Sequence, residues 1–364
     1  MRANKILQHL IVPIFNPKRT KEIFNYNPAS VQARTDAQNS RLYVFNYDAA
    51  TVEHSELGTL KDVLPYAKND RISWINMDGL KKSDVESVSS YFNIHTLLTE
   101  DILSIGQRPK FDEIEDVLFC LLNMLYWNER KAAVEQEQIS IILGKNFVIT
   151  FQEDAEKDVF KIIRDKLQQH NSKLRQRGAD YLCYSLLDII VDHYFVVIDK
   201  LGEKIESLED EIIRSTTKRT LAKLNNYKKE LIVLKRNVAP VRDLLNALIR
   251  SESDLLHEQI YKYLRDVHDH IIQANDIVEN YRDIMNSMQD LYLSQVNLKM
   301  NEAMKVMAIV TCLLAPATVI GGIFGMNFDV IPISHHWFGF YITVGIMLII
   351  SIIMVWIFKK RGWF

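Results

Sequence analysis

The chain has 364 residues, a formal net charge of −2 and 48% hydrophobic residues. That length accommodates a globular domain plus further elements. The nearly balanced charge gives no footing for nucleic acid, which is set aside as a partner class.

At the N-terminus, Ile6-Leu7 and Leu10-Ile11-Val12 look apolar, but Gln8 and His9 interrupt them and Pro13 follows. No small-residue cleavage site appears, so the segment reads as mature sequence. The three cysteines, Cys120, Cys183 and Cys312, have neither metal-type nor disulfide-like spacing and are expected as buried, reduced thiols of a cytosolic compartment.

Residues 41 to 153 alternate between strand and helix signals. Leu42-Tyr43-Val44-Phe45, Ile72-Ser73-Trp74-Ile75 and Val117-Leu118-Phe119-Cys120-Leu121-Leu122 are short β-rich runs. Ile139 to Leu143 and Phe147 to Phe151 form a further pair, joined by a Gly144-Lys145-Asn146 turn. Ser83-Asp84-Val85-Glu86 has the pattern of a capping box opening a helix. An α+β domain with a mainly antiparallel sheet is predicted over 1–175.

From Ala179 the pattern is helical. Ala179 to Arg214 and Lys218 to Ser251 are amphipathic, with Pro240 as a possible kink in the second. The first ends in Glu203, Glu206, Glu209, Asp210 and Glu211, and the second begins with Lys218, Arg219 and Lys223. An antiparallel pair over 176–252 would bring these opposite charges together; two solvated faces is the competing reading.

After Ser253 neither Pro nor Gly occurs before Pro316. Apolar residues recur at Leu256, Ile260, Tyr263, Val267, Ile271, Ala274, Val278, Tyr281, Met285, Met288 and Tyr292. These steps of three and four describe a coiled-coil-like seam with a stutter. Unbroken to Asn327, the helix would be on the order of 110 Å long, and copies packed side by side would stabilise it.

Val306 to Phe328 and Phe338 to Phe358 are uncharged runs, each long enough to cross a bilayer. A stalk helix is therefore placed at 253–303, a first transmembrane helix at 304–327, an external loop at 328–337, a second transmembrane helix at 338–358 and a basic tail at 359–364. Lys299 and Lys305 precede the first span and Lys359 to Arg361 follow the second, so both termini are expected in the cytoplasm. Three-four stepping through the first span selects Asn301, Met304, Ala308, Thr311, Ala315, Thr318, Gly322 and Gly325. A small-residue stripe of this kind is most often a helix–helix interface, and Gly321 with Gly325 makes a G-x-x-x-G; around a symmetry axis the same stripe becomes a lumen. Asn327 either caps the helix or faces the mouth of a pore.

Gly325-Met326-Asn327 after a long charged helix, with a second span and a basic C-terminus, resembles the CorA family of divalent-cation channels. Asn301-Glu302-x-Met304-Lys305-Val306, Pro316-x-Thr318 and Gln107-Arg108-Pro109-Lys110 extend the likeness over the chain after its first few dozen residues. Phe324 departs from the family's Tyr, Ala315 from a larger side chain, and Ile333 from a carboxylate in the outer link.

The resemblance implies a symmetric homopentamer in a bacterial inner membrane, in contact with lipid and with divalent cations as its other partners. It further implies Mg²⁺ as transported and regulatory ion, with Co²⁺ and Ni²⁺ as further cargo, and no organic cofactor. Gly325, Met326 and Asn327 would select the ion, and Met304 and Met307 would form a hydrophobic constriction. Glu100, Asp101, Asp188 and Asp266 would hold regulatory Mg²⁺ between subunits; taken alone, each is an ordinary surface acid.

Independently of the family, Mg²⁺ dehydrates reluctantly. A lumen of hydroxyls, carbonyls and amides, without a carboxylate, suits an ion that keeps most of its first shell. Two alternatives stand beside the channel. One is a zinc transporter on the same scaffold. The other is a membrane-anchored enzyme or binding domain, against which the chain carries no P-loop, H-E-x-x-H or G-x-S-x-G. His335 and His336 offer a zinc-type pair, although adjacent loop histidines are usually not ligands.

Overall fold

The structure is a computed structural model that describes residues 36–37, 40–57, 71–154, 159–326, 331, 333 and 336–363. The N-terminal apolar stretch, Asn327, Asp329 and His335 lie outside the described residues. The chain divides into two compact units, Met1–Met288 and Gln289–Phe364.

In the first unit, β1 (Arg41–Tyr47), β2 (Val52–Leu57) and β3 (Ile72–Asp78) precede α1 (Lys82–Tyr91) and α2 (Thr96–Leu103). Then come β4 (Lys110–Ile114), β5 (Val117–Asn128), β6 (Ala133–Leu143) and β7 (Phe147–Gln152). They form one sheet in the order β2-β1-β3-β7-β6-β5-β4. Every pairing is antiparallel except β3 with β7, where Trp74 sits opposite Val148 in parallel register. The sheet is thus mixed at its centre. A parallel neighbour requires a long crossover, which α1, α2 and the β4–β6 meander supply, and strand patterns alone do not disclose such a join.

Val117 to Leu125 is buried at every position, because both faces of the sheet are covered. On one face Val85, Val88, Leu98 and Ile102 of α1 and α2 pack with Ile75, Met77, Phe119, Leu121, Ile142 and Ile149. The β6–β7 turn needs glycine at 144 for space: a Cβ there would lie 2.3 Å from Cζ of Phe147.

The capping box predicted at Ser83 does not form. The N-cap of α1 is Lys81, whose side chain makes no capping bond. Asp36 Oδ1 accepts from the Lys82 N–H at 2.9 Å instead. The orphan donor is satisfied by a carboxylate remote in sequence.

After α3 (Lys161–Gln168), α4 spans Ala179–Arg214 and α5 spans Lys218–Arg250, with Pro240 inside α5. Of the charges expected to meet between them, Glu211 pairs with Lys223 at 2.5 Å and accepts from Thr220 at 3.1 Å. These interactions hold the Glu211 carboxyl below its ordinary range, the Lys223 hydrogen bond foremost. Asn237 of α5 ties the pair to the sheet, accepting from Asn123 at 2.8 Å and donating to Gln136 at 3.1 Å. Cys120 and Cys183 are free and buried as expected, whereas Cys312 is only half-buried.

The long helix α6 covers Tyr261–Phe324 without a break at Pro316. It starts at Tyr261 rather than 253. Glu252 has a left-handed φ of 48°, Leu256 N–H bonds back to Ser253 O, and the 3₁₀ turn Glu258–Ile260 leads in. The predicted seam is buried at Leu256, Ile260, Val267, Ile271, Ala274, Val278, Met285 and Met288, with Leu264 replacing the half-buried Tyr263. Much of its cover comes from the same chain. Tyr281 lies against Gly202 of α4, where a Cβ would be 2.2 Å from its hydroxyl, and Glu279 pairs with Lys235 of α5.

In the second unit α6 continues from Gln289 to Phe324, and α7 spans Gly339–Lys360. Three described helices are long and apolar enough to cross a membrane: α4, the α6 segment and α7. Their most apolar windows are 50%, 6% and 0% buried, respectively. Half-burial within the protein makes α4 a core helix, and the other two present their apolar surface outward.

Candidate functional site

Along the apolar part of α6, Ile309 is buried and Lys305, Cys312, Leu313, Pro316 and Ile320 are half-buried. At 100° per residue these positions share one face. Lys305 Nζ donates to the Gly362 carbonyl just beyond α7 at 3.1 Å. Asn301, Met304, Met307, Ala308, Thr311, Ala315, Thr318, Gly322 and Gly325 are all exposed in the isolated chain. They fall mostly on the other side of the helix.

Among the described residues, no neighbour accounts for the glycines on and beside that stripe. A Cβ on Gly321 or Gly322 would meet nothing within 4 Å, and one on Gly325 would meet only the helix's own Gly321 and Gly322 carbonyls. Thr311 Oγ1 donates to Met307 O at 2.8 Å and Thr318 Oγ1 to Leu314 O at 3.1 Å. Each hydroxyl hydrogen is committed to the backbone, so each oxygen is left as an acceptor on the exposed face. The helix closes with Gly325 N–H on Gly321 O and Gly322 O, and Met326 N–H on Ile323 O.

The acidic residues fall into two places in the first unit. Glu100 and Asp101 are on α2, with Glu100 exposed. Asp101 pairs with Lys110 at 2.5 Å, and Lys110 also meets Asp112 at 3.0 Å. Burial works against the Lys110 ammonium, but the bonds to Asp101 and Asp112 outweigh it and leave its pKa above the ordinary lysine value. Asp101 is therefore not a bare charge.

The charge of Asp266 on α6 reaches Asp188 on α4 and adds to what disfavours its anion, but Asp266 is not among the residues whose ligand atoms converge on Asp188. Two other residues stand beside Asp188. Ligand atoms of Asp188, Asp192 and His270 lie within 4.8 Å of one another. His270 Nδ1 is buried with no hydrogen-bond partner among the described residues, and stands 3.9 Å from Asp192 Oδ1. Burial, then the Asp192 charge, raises the Asp188 carboxyl above its ordinary range. Two carboxylates and an orphaned imidazole nitrogen fit a divalent cation, and the nitrogen donor suits Co²⁺, Ni²⁺ or Zn²⁺ better than Mg²⁺. Sequence reasoning did not select Asp192; the i, i+4 step from Asp188 to Asp192 was the available signal. No ion pair or hydrogen bond among the described residues joins Asp101 to Asp266 within the chain. His336 is exposed.

Residues 69–360 match the family described as CorA-like Mg2+ transporter protein. A cobalt/magnesium transport protein CorA from Thermotoga maritima is 37% identical over 327 residues, covering 90% of this chain and 93% of its own length. A protein of the same name from Methanocaldococcus jannaschii is 25% identical over 293 residues, covering 80% and 92%. Among solved structures, the CorA magnesium transporter from Methanocaldococcus jannaschii aligns with a TM-score of 0.73 at 24% identity, over 89% of this chain and 98% of that one. The ZntB cytoplasmic domain from Vibrio parahaemolyticus aligns with a TM-score of 0.53 at 19% identity, over 70% and 98%. At those identities the two structures bear on the fold alone.

Proposed function

The chain belongs to the CorA-like Mg2+ transporter family, and from that premise we propose that it is a membrane channel for passive, potential-driven Mg²⁺ uptake. Co²⁺ and Ni²⁺ are further cargo. The family's members are transporters, which removes the anchored-enzyme alternative. The observation that carries the channel reading is the uncharged stripe from Asn301 to Gly325, exposed among the described residues and with open space at Gly322. Several copies arranged about an axis would turn it into a lumen, and the resemblance makes the number five. The two apolar helices form the membrane hairpin, with both termini in the cytoplasm of a bacterial cell and the inner membrane as the site.

In such a lumen the Thr311 and Thr318 oxygens accept hydrogen bonds from the waters of a hydrated cation without replacing them. Asn327, at the outer end, selects the ion with its carbonyl oxygen. Met304 and Met307 form the constriction, closing it by dewetting. Inward movement of a divalent ion gains roughly 4.6 kcal/mol per 100 mV, twice the single-charge value. A pore with that driving force needs a shut-off. Cytoplasmic Mg²⁺ held by Glu100, Asp101, Asp188 and Asp266 between subunits provides it, with Asp192 and His270 added to the Asp188 end.

The test is uptake of Mg²⁺, Co²⁺, Ni²⁺ and Zn²⁺ by the purified protein in liposomes, with and without a proton gradient. Mg²⁺ uptake that ignores the gradient supports the channel. Zn²⁺ uptake that requires protons would replace it with a zinc transporter on this scaffold.

A further inference from the structure

We propose that Lys305 and residues 359–363 form a binding site for the headgroup phosphate of an anionic phospholipid, at the α7 C-terminal end of the hairpin. The proposal rests on the membrane reading above. It starts from how α7 ends. Arg361 N–H bonds to Ile357 O at 3.0 Å, Gly362 N–H to Lys359 O at 3.1 Å and Trp363 N–H to Phe358 O at 3.0 Å. Gly362 has φ of 69°, in the left-handed region, so the chain doubles back instead of continuing outward. Trp363 consequently stacks on Phe358, with ring centroids 5.3 Å apart and planes 8° from parallel.

The same reversal turns the Gly362 carbonyl to Lys305 Nζ. Lys305, Lys359, Lys360 and Arg361 thereby gather at one level of the hairpin. None has a carboxylate within ion-pair distance among the described residues; Lys360 lies over the Trp356 ring instead, 5.3 Å from its centroid. Glu302, one turn from Lys305, is exposed and makes no ion pair with it among the described residues. An uncompensated cation cluster at the end of an apolar helix attracts anionic lipid.

The source of the phosphate is a lipid rather than a free anion because of what surrounds the charges. Trp356 and Trp363 are exposed beside them, and α7 below is apolar over a window with no burial. A headgroup at the cations therefore lays its acyl chains on rings and apolar side chains, which a soluble phosphate cannot do.

The experiment is native mass spectrometry of the full-length protein in detergent. Phosphatidylglycerol and phosphatidylcholine of identical acyl chains are added, and glycerol 3-phosphate serves as a soluble competitor. Phosphatidylglycerol is expected to stay bound and phosphatidylcholine to be lost. At about fivefold per basic residue, the triple variant Lys359→Ala, Lys360→Ala, Arg361→Ala should lower phosphatidylglycerol affinity at least about tenfold. Gly362→Val keeps every charge but opposes the reversal, and should lower affinity about threefold or more. Equal retention of both lipids, unchanged binding by the triple variant or by Gly362→Val, or full displacement by glycerol 3-phosphate would each overturn the site. Extraction of the wild type from membranes by alkaline carbonate would instead overturn the membrane reading, and this proposal with it.

Discussion

At the residue scale, the side chain expected to matter most is Asn327, which stands where the small-residue stripe ends. Asn327→Ala should leave assembly intact and reduce Mg²⁺ flux at least about tenfold, the worth of one well-placed polar contact; wild-type flux in a folded variant would remove the residue from selection. Asp188 makes a different demand. Burial, then the Asp192 charge, raises its carboxyl, so the folded chain binds that proton more tightly than the unfolded chain does. The associated stabilisation is full below the unfolded carboxyl range and is lost as pH rises through the raised folded value. At neutral pH the anion is therefore a liability until a cation neutralises it. Asp188→Asn should stabilise the metal-free protein at pH 7 by a few tenths to about 1 kcal/mol, the group being only half-buried. It should also lose most of the rise in Tm on adding Mg²⁺ or Co²⁺. Calorimetry at pH 5 and pH 7, with and without metal, reads both; a variant less stable at pH 7, with an intact metal shift, would show the cluster to be an ordinary hydrogen-bonded one. His270→Ala sharpens the point, since loss of the nitrogen donor should weaken Co²⁺ binding about tenfold and Mg²⁺ binding little.

Among the elements, α2 and the stalk part of α6 would carry the proposed sensor. Lys110 occupies Asp101 in the chain as it stands, so a metal ion must compete with an ammonium for that carboxylate. Lys110→Met should release Asp101 and shift channel closure to lower Mg²⁺, by about threefold to tenfold. Asp266→Asn should shift closure the other way and leave the channel conducting at Mg²⁺ levels that shut the wild type. Asp266→Lys could imitate the ion's charge and restore part of the closed state without it. Currents and protease protection titrated with Mg²⁺ measure all three variants, and one common closing range would place the sensor elsewhere.

The elements also show what the sequence disclosed and what it did not. Helix α4 was legible to the residue because its apolar period and its flanking breaks coincide. The parallel β3–β7 join was not, since alternation specifies a strand and not its partner. The cap of α1 was missed because Asp36, remote in sequence, supplies the acceptor. The seam of α6 was correctly found as a buried face, but periodicity cannot say what covers it; Gly202 against Tyr281 and Lys235 against Glu279 supply part of that cover. For the candidate site, the stripe was legible as spacing, and the Asp192–His270 contact needed the fold.

For the whole molecule, the claim is that copies of this hairpin enclose a water-filled path for a divalent cation moving down its electrochemical gradient. The apolar surfaces of α7 and of α6 beyond Gln289 are open in the single chain, and lipid and neighbouring copies would cover them. Native mass spectrometry in detergent should show five chains and no monomer. The most direct measurement is Mg²⁺ accumulation in liposomes holding the full-length protein, with the membrane potential set by a K⁺ gradient and pH equal on both sides. Without a carboxylate, lysine or histidine on the exposed stripe to relay protons, potential alone should drive uptake. Accumulation at equilibrium should rise tenfold for about every 30 mV, the slope for a charge of two, and should not change when a pH gradient is added at clamped voltage. Accumulation that follows the pH gradient and ignores the potential would contradict the account.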